Sequence, residues 1–220
     1  TGSFFFFGME ANRAFYGGVR RIDVLGCSVT VDEFHALFFD DAATLEKCHC
    51  YVQWLFPIDA HSEFNRDSSP LSHSEARYIA HTVVPNARLM YSFRLMLRFY
   101  GFVLRDGAVD VDHTLCESRL SHLNHSPHNW LRVTRILRCL SLCGMNETAR
   151  EWLRALRTEV FETRRLDKAA SSYRSFWGDA ASVASDAWPT KNVSQLMHRA
   201  VLEARAPSVF KVLANAYIAQ

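Results

Sequence analysis

Between Ser126 and Gly144, Trp130, Val133, Ile136, Leu137, Leu140 and Cys143 recur three and four residues apart. That spacing places them on one stripe of a helix and constrains the fold more than any other feature of the chain. Ser126 is a good N-cap, and Pro127 suits the first helical position, where its missing N–H is no loss. Gly144 is expected to close the helix. After one or two residues Asn146 is read as the cap of a second helix, with Ala149, Trp152, Leu153, Leu156 and Val160 at helical spacing. So short a break makes the two helices antiparallel neighbours. Apolar stripes of this kind must be buried against other helices. The expected fold class is therefore all-α: a mostly helical, single compact multi-helix domain with a small hairpin or irregular loops.

The rest of the chain reads the same way. Leu89, Phe93, Met96, Leu97 and Tyr100 predict a helix over Arg88–Tyr100, ended by Gly101. Ser72 and Glu75 form a capping box for a helix from about His73 to Val84, which Pro85 is expected to stop. Tyr173, Phe176 and Trp177 mark a shorter helix over Ser171–Asp179. Strand signals are a short run at Ser28–Val31 and a hairpin over Phe102–Val111 turning at Asp106-Gly107. An Ala/Ser stretch is read as a linker over 180–190. Beyond it, Val193, Leu196, Met197, Ala200 and Val201, and then Val209, Phe210, Leu213 and Tyr217, predict extra C-terminal helices over 191–220. Residues 1–11 are read as an N-terminal arm, because the Phe4–Phe7 run is too short for a signal-peptide core or a membrane span.

Composition narrows the function classes. An apolar fraction of 49% against 22% charged residues is that of a globular protein rather than a disordered one. A net charge of +2 is too small a basic excess to imply nucleic acid as a partner. No window is long and apolar enough to predict a transmembrane segment; peripheral membrane association stays open. The six cysteines follow no regular framework, so free thiols in an intracellular, reducing compartment are expected.

Four ordered segments carry a resemblance. Asn12, Phe15 and Tyr16 fit N-x-x-F-Y. His49-Cys50-Tyr51-Val52-Gln53-Trp54-Leu55-Phe56-Pro57 fits H-x-Y-I-Q-W-L-F-P. Met96-Leu97-Arg98-Phe99-Tyr100-Gly101 fits M-L-x-F-Y/F-G. His122-Leu123-Asn124, Ser126 and His128-Asn129-Trp130-Leu131-Arg132-Val133-Thr134-Arg135-Ile136-Leu137 fit H-L-N-x-S-x-H-N-x-L-R-I-T-R-I-L. Together they resemble the conserved N-terminal region of the opioid growth factor receptor family, over about residues 12–179. The resemblance implies a receptor-like module that recognises a peptide or protein and takes part in growth regulation. Vertebrate members are described as receptors for the peptide Met-enkephalin. It also implies a nuclear or perinuclear location, with an organelle left open. The alternative is a structural or adaptor subunit of a larger assembly, held by the Phe-rich N-terminus and the C-terminal helices.

No catalytic constellation is present: there is no Gly-x-Ser-x-Gly, no phosphate-cradling glycine loop and no His-Glu-x-x-His. An enzyme is not expected, and no cofactor is implied. His122, His125 and His128 recur every three residues, but Pro127 interrupts the helix that would align them and no Cys-x-x-Cys accompanies them, so no metal is expected. Asp110, Asp112 and His113 fall in a polar hairpin. The candidate ligand- or partner-binding residues are Gln53, Trp54, His128, Arg132 and Arg135. Two guanidinium groups three residues apart can clamp a carboxylate, and Gln53 and His128 would flank them. Trp54 is expected to insert into the core.

Overall fold

The computed structural model describes residues 10–62 and 65–183. Their structure is mostly helical, with two small two-stranded sheets and no barrel. The expected helices over 191–220 and most of the arm and linker lie outside the described residues. The chain divides into two compact units, Thr1–Leu89 and Met90–Gln220.

The first unit holds α1 (Ala11–Tyr16), β1 (Ile22–Val24), β2 (Cys27–Val29), α2 (Val31–Phe38), α3 (Ala42–Lys47), α4 (Val52–Leu55), α5 (His73–His81) and the start of α6 (Val83–Tyr100). Strands β1 and β2 pair antiparallel, Ile22 with Val29 and Val24 with Cys27, around Leu25 and Gly26, both at positive φ. Val31, expected at the end of a strand, instead opens α2. Thr30 and Glu33 form a capping box there, which favours the helix from its first turn. The Ser72–Glu75 box is formed as the sequence implied.

Glu75 does more than cap α5. It is buried, and its carboxylate accepts the Asn12 backbone N–H at 2.8 Å, the Asn12 side-chain amide at 3.0 Å, the Arg13 N–H at 3.2 Å and the Ser72 N–H at 2.9 Å. One side chain thus satisfies the otherwise orphan donors at the starts of both α1 and α5. Helix α5 ends at His81, not at Val84. Thr82 turns extended, and Pro85 falls within the first turn of α6, where Asn86 is the first residue to donate a helical bond, to Thr82 O. Pro85 is therefore tolerated inside a helix rather than stopping one.

A second tie fastens α2 to α1 and α6. Arg88 donates from Nε and Nη2 to the Asp32 carboxylate at 2.9 and 2.5 Å, and from Nη1 to Tyr16 O at 2.7 Å. Tyr16 itself donates to Leu55 O. The core here is aromatic: Phe15 lies 5.7 Å from Trp54, and Phe34 lies 5.1 Å from Tyr51.

His35, on α2, is wholly buried, and burial holds its pKa down at about 3, with Asp32 opposing and Arg88 adding to the effect. The unfolded chain, with an ordinary imidazole near 6.5, then binds the proton more readily than the folded one between pH 6.5 and 3. Acidification through that window is expected to lower stability, with a slope approaching about 1.4 kcal/mol per pH unit. Between pH 6.5 and 5 the His35 share is roughly 2 kcal/mol. Urea midpoints measured across this range for wild type and His35→Gln check it: the variant should lose most of that slope, and an unchanged slope would refute the assignment.

The second unit holds the rest of α6, β3 (Phe102–Arg105), β4 (Ala108–Val111), α7 (Cys116–Asn124), α8 (Pro127–Leu142) and α9 (Asn146–Arg157). A π-helical turn, Thr158–Glu162, continues α9. A further helical stretch from Asp167 to Ala180 contains a second π-helical turn, Tyr173–Trp177. The hairpin turns at Asp106-Gly107 as expected, pairing Phe102 with Val111 and Arg105 with Ala108. Helices α8 and α9 pack together, and Arg154 of α9 donates to Val109 O of β4. Trp152 is fully buried, its ring 5.5 Å from Phe93, 6.1 Å from Tyr100 and 6.5 Å from Phe102.

Two of the expected caps do not form through side chains. Ser126 and Pro127 start α8 where the sequence put them, but the Ser126 hydroxyl makes no cap hydrogen bond. Met145 occupies the cap position of α9, and Asn146 is its first helical residue.

Gly101 ends α6 at φ +85°, in the left-handed region. A Cβ there would stand 2.9 Å from Arg119 Cβ and 3.1 Å from Cys116 Cα. Gly101→Ala is expected to destabilise by about 2 kcal/mol, from the left-handed conformation together with the clash. Thermal unfolding of the variant tests this, and an unchanged midpoint would contradict it.

Candidate functional site

The five sequence candidates fall in both units: Gln53 and Trp54 in the first, His128, Arg132 and Arg135 in the second. In the first unit, α4 is a single turn between Tyr51 and Phe56, and Tyr51 is anchored by its hydroxyl, which donates to Leu45 O at 3.0 Å. The turn carries Trp54 inward, 3% exposed, against Phe15, and the Arg20 guanidinium stands 4.5 Å from the indole centroid. That is a cation–π contact at the edge of the core. Gln53 is buried too. Its Oε1 has no hydrogen-bond partner among the described residues.

In the second unit, α8 sorts its residues by face. Val133, Ile136, Leu137 and Leu140 are fully buried, as the apolar stripe requires. Arg132, expected to help clamp a partner's carboxylate, is buried as well, and its Nη1 donates to Asn129 Oδ1 at 3.1 Å. Asn129 is fully buried, and the same oxygen accepts the Tyr100 hydroxyl at 3.4 Å. A buried guanidinium fixed this way is part of the interior polar network of α6 and α8. Trp130 differs from expectation in the other direction. It is half-buried rather than a core residue, and its indole N–H donates to Leu123 O at 2.8 Å.

The outer face of α8 is formed by His128, Leu131, Arg135, Arg138 and Leu142, three and four residues apart. His128 is exposed, and Leu131 is 62% exposed, an unusual place for a leucine on so apolar a helix. Arg135 is half-buried, and burial lowers its pKa from the ordinary guanidinium value, with the Cys139 thiol acting the other way. The structure thus separates the two arginines expected to act as one clamp, Arg132 inward and Arg135 towards the outer face.

Two further motif residues, Asn124 and His122, have structural partners. Asn124 donates to Asp167 Oδ1 and accepts the Lys168 N–H, each at 3.0 Å. That hydrogen bond is the main reason the Asp167 carboxyl is held below its ordinary value. The His122 ring meets Phe99 edge-on at 6.3 Å. Among the described residues no group of three or more His, Cys, Asp or Glu side chains is arranged to hold a metal ion, and no helix is long and apolar enough to cross a membrane.

Sequence reasoning missed Leu131, because a leucine beside an apolar stripe reads as core. Only its angular position, opposite Val133 and Leu140, marks it as outward. It also gave no role to Asn129, although Asn129 sits within the quoted motif.

The family model described as "Opioid growth factor receptor (OGFr) conserved region" matches residues 8–183, a span that includes parts of both units. The Xenopus tropicalis opioid growth factor receptor-like protein 1 is 33% identical over 134 residues, 60% of this chain and 26% of that protein. The Homo sapiens opioid growth factor receptor is 31% identical over 162 residues, 72% of this chain and 23% of that protein. The Rattus norvegicus opioid growth factor receptor is 33% identical over 136 residues, 60% of this chain and 23% of that protein. The chain spans about a quarter of the length of these relatives. No solved structure gives a significant match. With the matched region covering most of its length, the chain belongs to the opioid growth factor receptor family.

Proposed function

We propose that this chain is a non-catalytic recognition module that binds a peptide or protein segment through the outer face of α8. The observation that carries the reading is Leu131, an exposed leucine between His128 and Arg135 on a helix whose opposite face is buried. An apolar anchor beside a guanidinium suits a segment presenting an apolar side chain next to a carboxylate. Arg135 is assigned the partner's acidic group and His128 a polar contact. Arg132 keeps α8 in register through Asn129 and is a positioning residue. Gln53, with its buried carbonyl oxygen, and Trp54 are proposed as a separate contact region in the first unit. Family membership supports a receptor-like role, since relatives are named opioid growth factor receptor. A nuclear or perinuclear location with reduced cysteines is proposed on the same footing.

The experiment is to purify the protein from its native source, identify what co-purifies, and titrate that partner against Arg135→Gln and Arg132→Gln. Met-enkephalin and its C-terminal amide serve as a peptide arm. Arg135→Gln is expected to stay folded by circular dichroism and lose about tenfold or more in affinity, equivalent to roughly 1.4 kcal/mol. Arg132→Gln is expected to lose stability first. Full affinity in a folded Arg135→Gln variant would overturn the reading.

A further inference from the structure

We propose that Cys48 and Cys50 form a redox-modification site, a dithiol that a small hydroperoxide oxidises to a Cys48–Cys50 disulfide. Both are free thiols, and their Sγ atoms approach to 2.9 Å, closer than sulfurs that merely pack. Cys48 is buried and Cys50 is half-buried, so an oxidant reaches Cys50 first, with Cys48 directly behind it.

Cys50 Sγ attacks one oxygen of the hydroperoxide. The O–O bond breaks, the thiol proton leaves with the departing oxygen as water or alcohol, and Cys50 becomes a sulfenic acid. Cys48 Sγ then attacks that sulfur, the S–O bond breaks, and the Cys48 proton departs with the hydroxyl as water. The two thiols lose two electrons, and the peroxide gains them. The hydrogen bond shared with Cys48, and then burial, push the Cys50 thiol pKa up. Its thiolate is therefore scarce, and the pair responds slowly, to sustained oxidant rather than as a turnover peroxidase.

The position gives closure a consequence. Cys48 N–H donates to Thr44 O at the end of α3, Cys50 Sγ donates to Asp23 O of β1 at 3.3 Å, and Cys50 O accepts from Asn65 at 2.7 Å. A disulfide would remove the thiol donor to Asp23 and close a ring over His49, drawing in the backbone that leads through Tyr51 into α4. Oxidation would thereby act on the turn that carries Gln53 and Trp54. Cys139 and Cys143, both buried on and just beyond α8, lack a half-exposed member through which an oxidant could enter.

The purified chain is treated with hydrogen peroxide, quenched, and its thiols counted under denaturing conditions, with peptide mapping of non-reduced protein. Two of the six thiols should be lost, mapped to a Cys48–Cys50 link and restored by dithiothreitol. Cys48→Ser should stop at a Cys50 sulfenic acid trapped by dimedone, and Cys50→Ser should form no disulfide. Retention of all six thiols, a link mapped to Cys139–Cys143, or oxidation of Cys50 to sulfinic acid with Cys48 still free would each overturn the proposal.

Discussion

Trp152→Ala is expected to remove about 3–5 kcal/mol of stability. The indole is wholly buried and touches Phe93, Tyr100 and Phe102, so truncation opens a cavity bounded by rigid rings from α6 and β3. Aromatic rings held on three sides relax little, which keeps the cost near the top of the range. Urea denaturation should show a lower midpoint with an unchanged slope. A loss below about 1 kcal/mol would mean that the cluster is not the core of this unit.

Glu75→Ala is expected to remove about 3 kcal/mol in the first unit. The carboxylate takes hydrogen bonds from the Asn12 backbone and side chain, from Arg13 N–H and from Ser72 N–H, and it is almost fully buried. Truncation leaves those donors unsatisfied, each at about 1–3 kcal/mol where no water can reach. A capping residue alone would account for only about 1 kcal/mol. The comparison with Glu75→Gln separates the two roles: the amide keeps an acceptor and should recover part of the loss. Thermal or urea midpoints decide between them, and a Glu75→Ala loss near 1 kcal/mol would reduce Glu75 to an ordinary cap.

The helical fold was legible because its cause is local. The stripe from Val133 to Leu140, the Ser72–Glu75 box and the Asp106-Gly107 turn all specify structure within a few residues, and all are found. Pro85 misled because proline reads as a stop signal wherever a helix precedes it. Whether it breaks one helix or sits in the first turn of the next depends on Thr82 turning extended, which no local pattern states. The π-helical turns at Thr158–Glu162 and Tyr173–Trp177 have no periodicity of their own to betray them.

The candidate site was less legible, because charge says little about direction. Arg132 and Arg135 differ by one helical step of three, yet one lies buried against Asn129 and the other towards the outer face. Asn12, Asp32 and Arg88 gain their roles from partners more than fifty positions away, as does Glu75 in its hold on α1. Spacing along the chain cannot supply those distances. The motif that marked Asn12 pointed to an important residue without disclosing that its work is structural.

The outer face of α8 is best tested by a matched pair of exposed leucines. Leu131 and Leu37 are 62% and 58% exposed, so replacing either with Asp should leave the fold intact. Affinity for the co-purified partner is then measured by isothermal titration for wild type, Leu131→Asp and Leu37→Asp. A loss of about tenfold or more is expected for Leu131→Asp alone, about 1.4 kcal/mol of binding. Equal affinity for all three proteins, each folded by circular dichroism, would contradict recognition through α8.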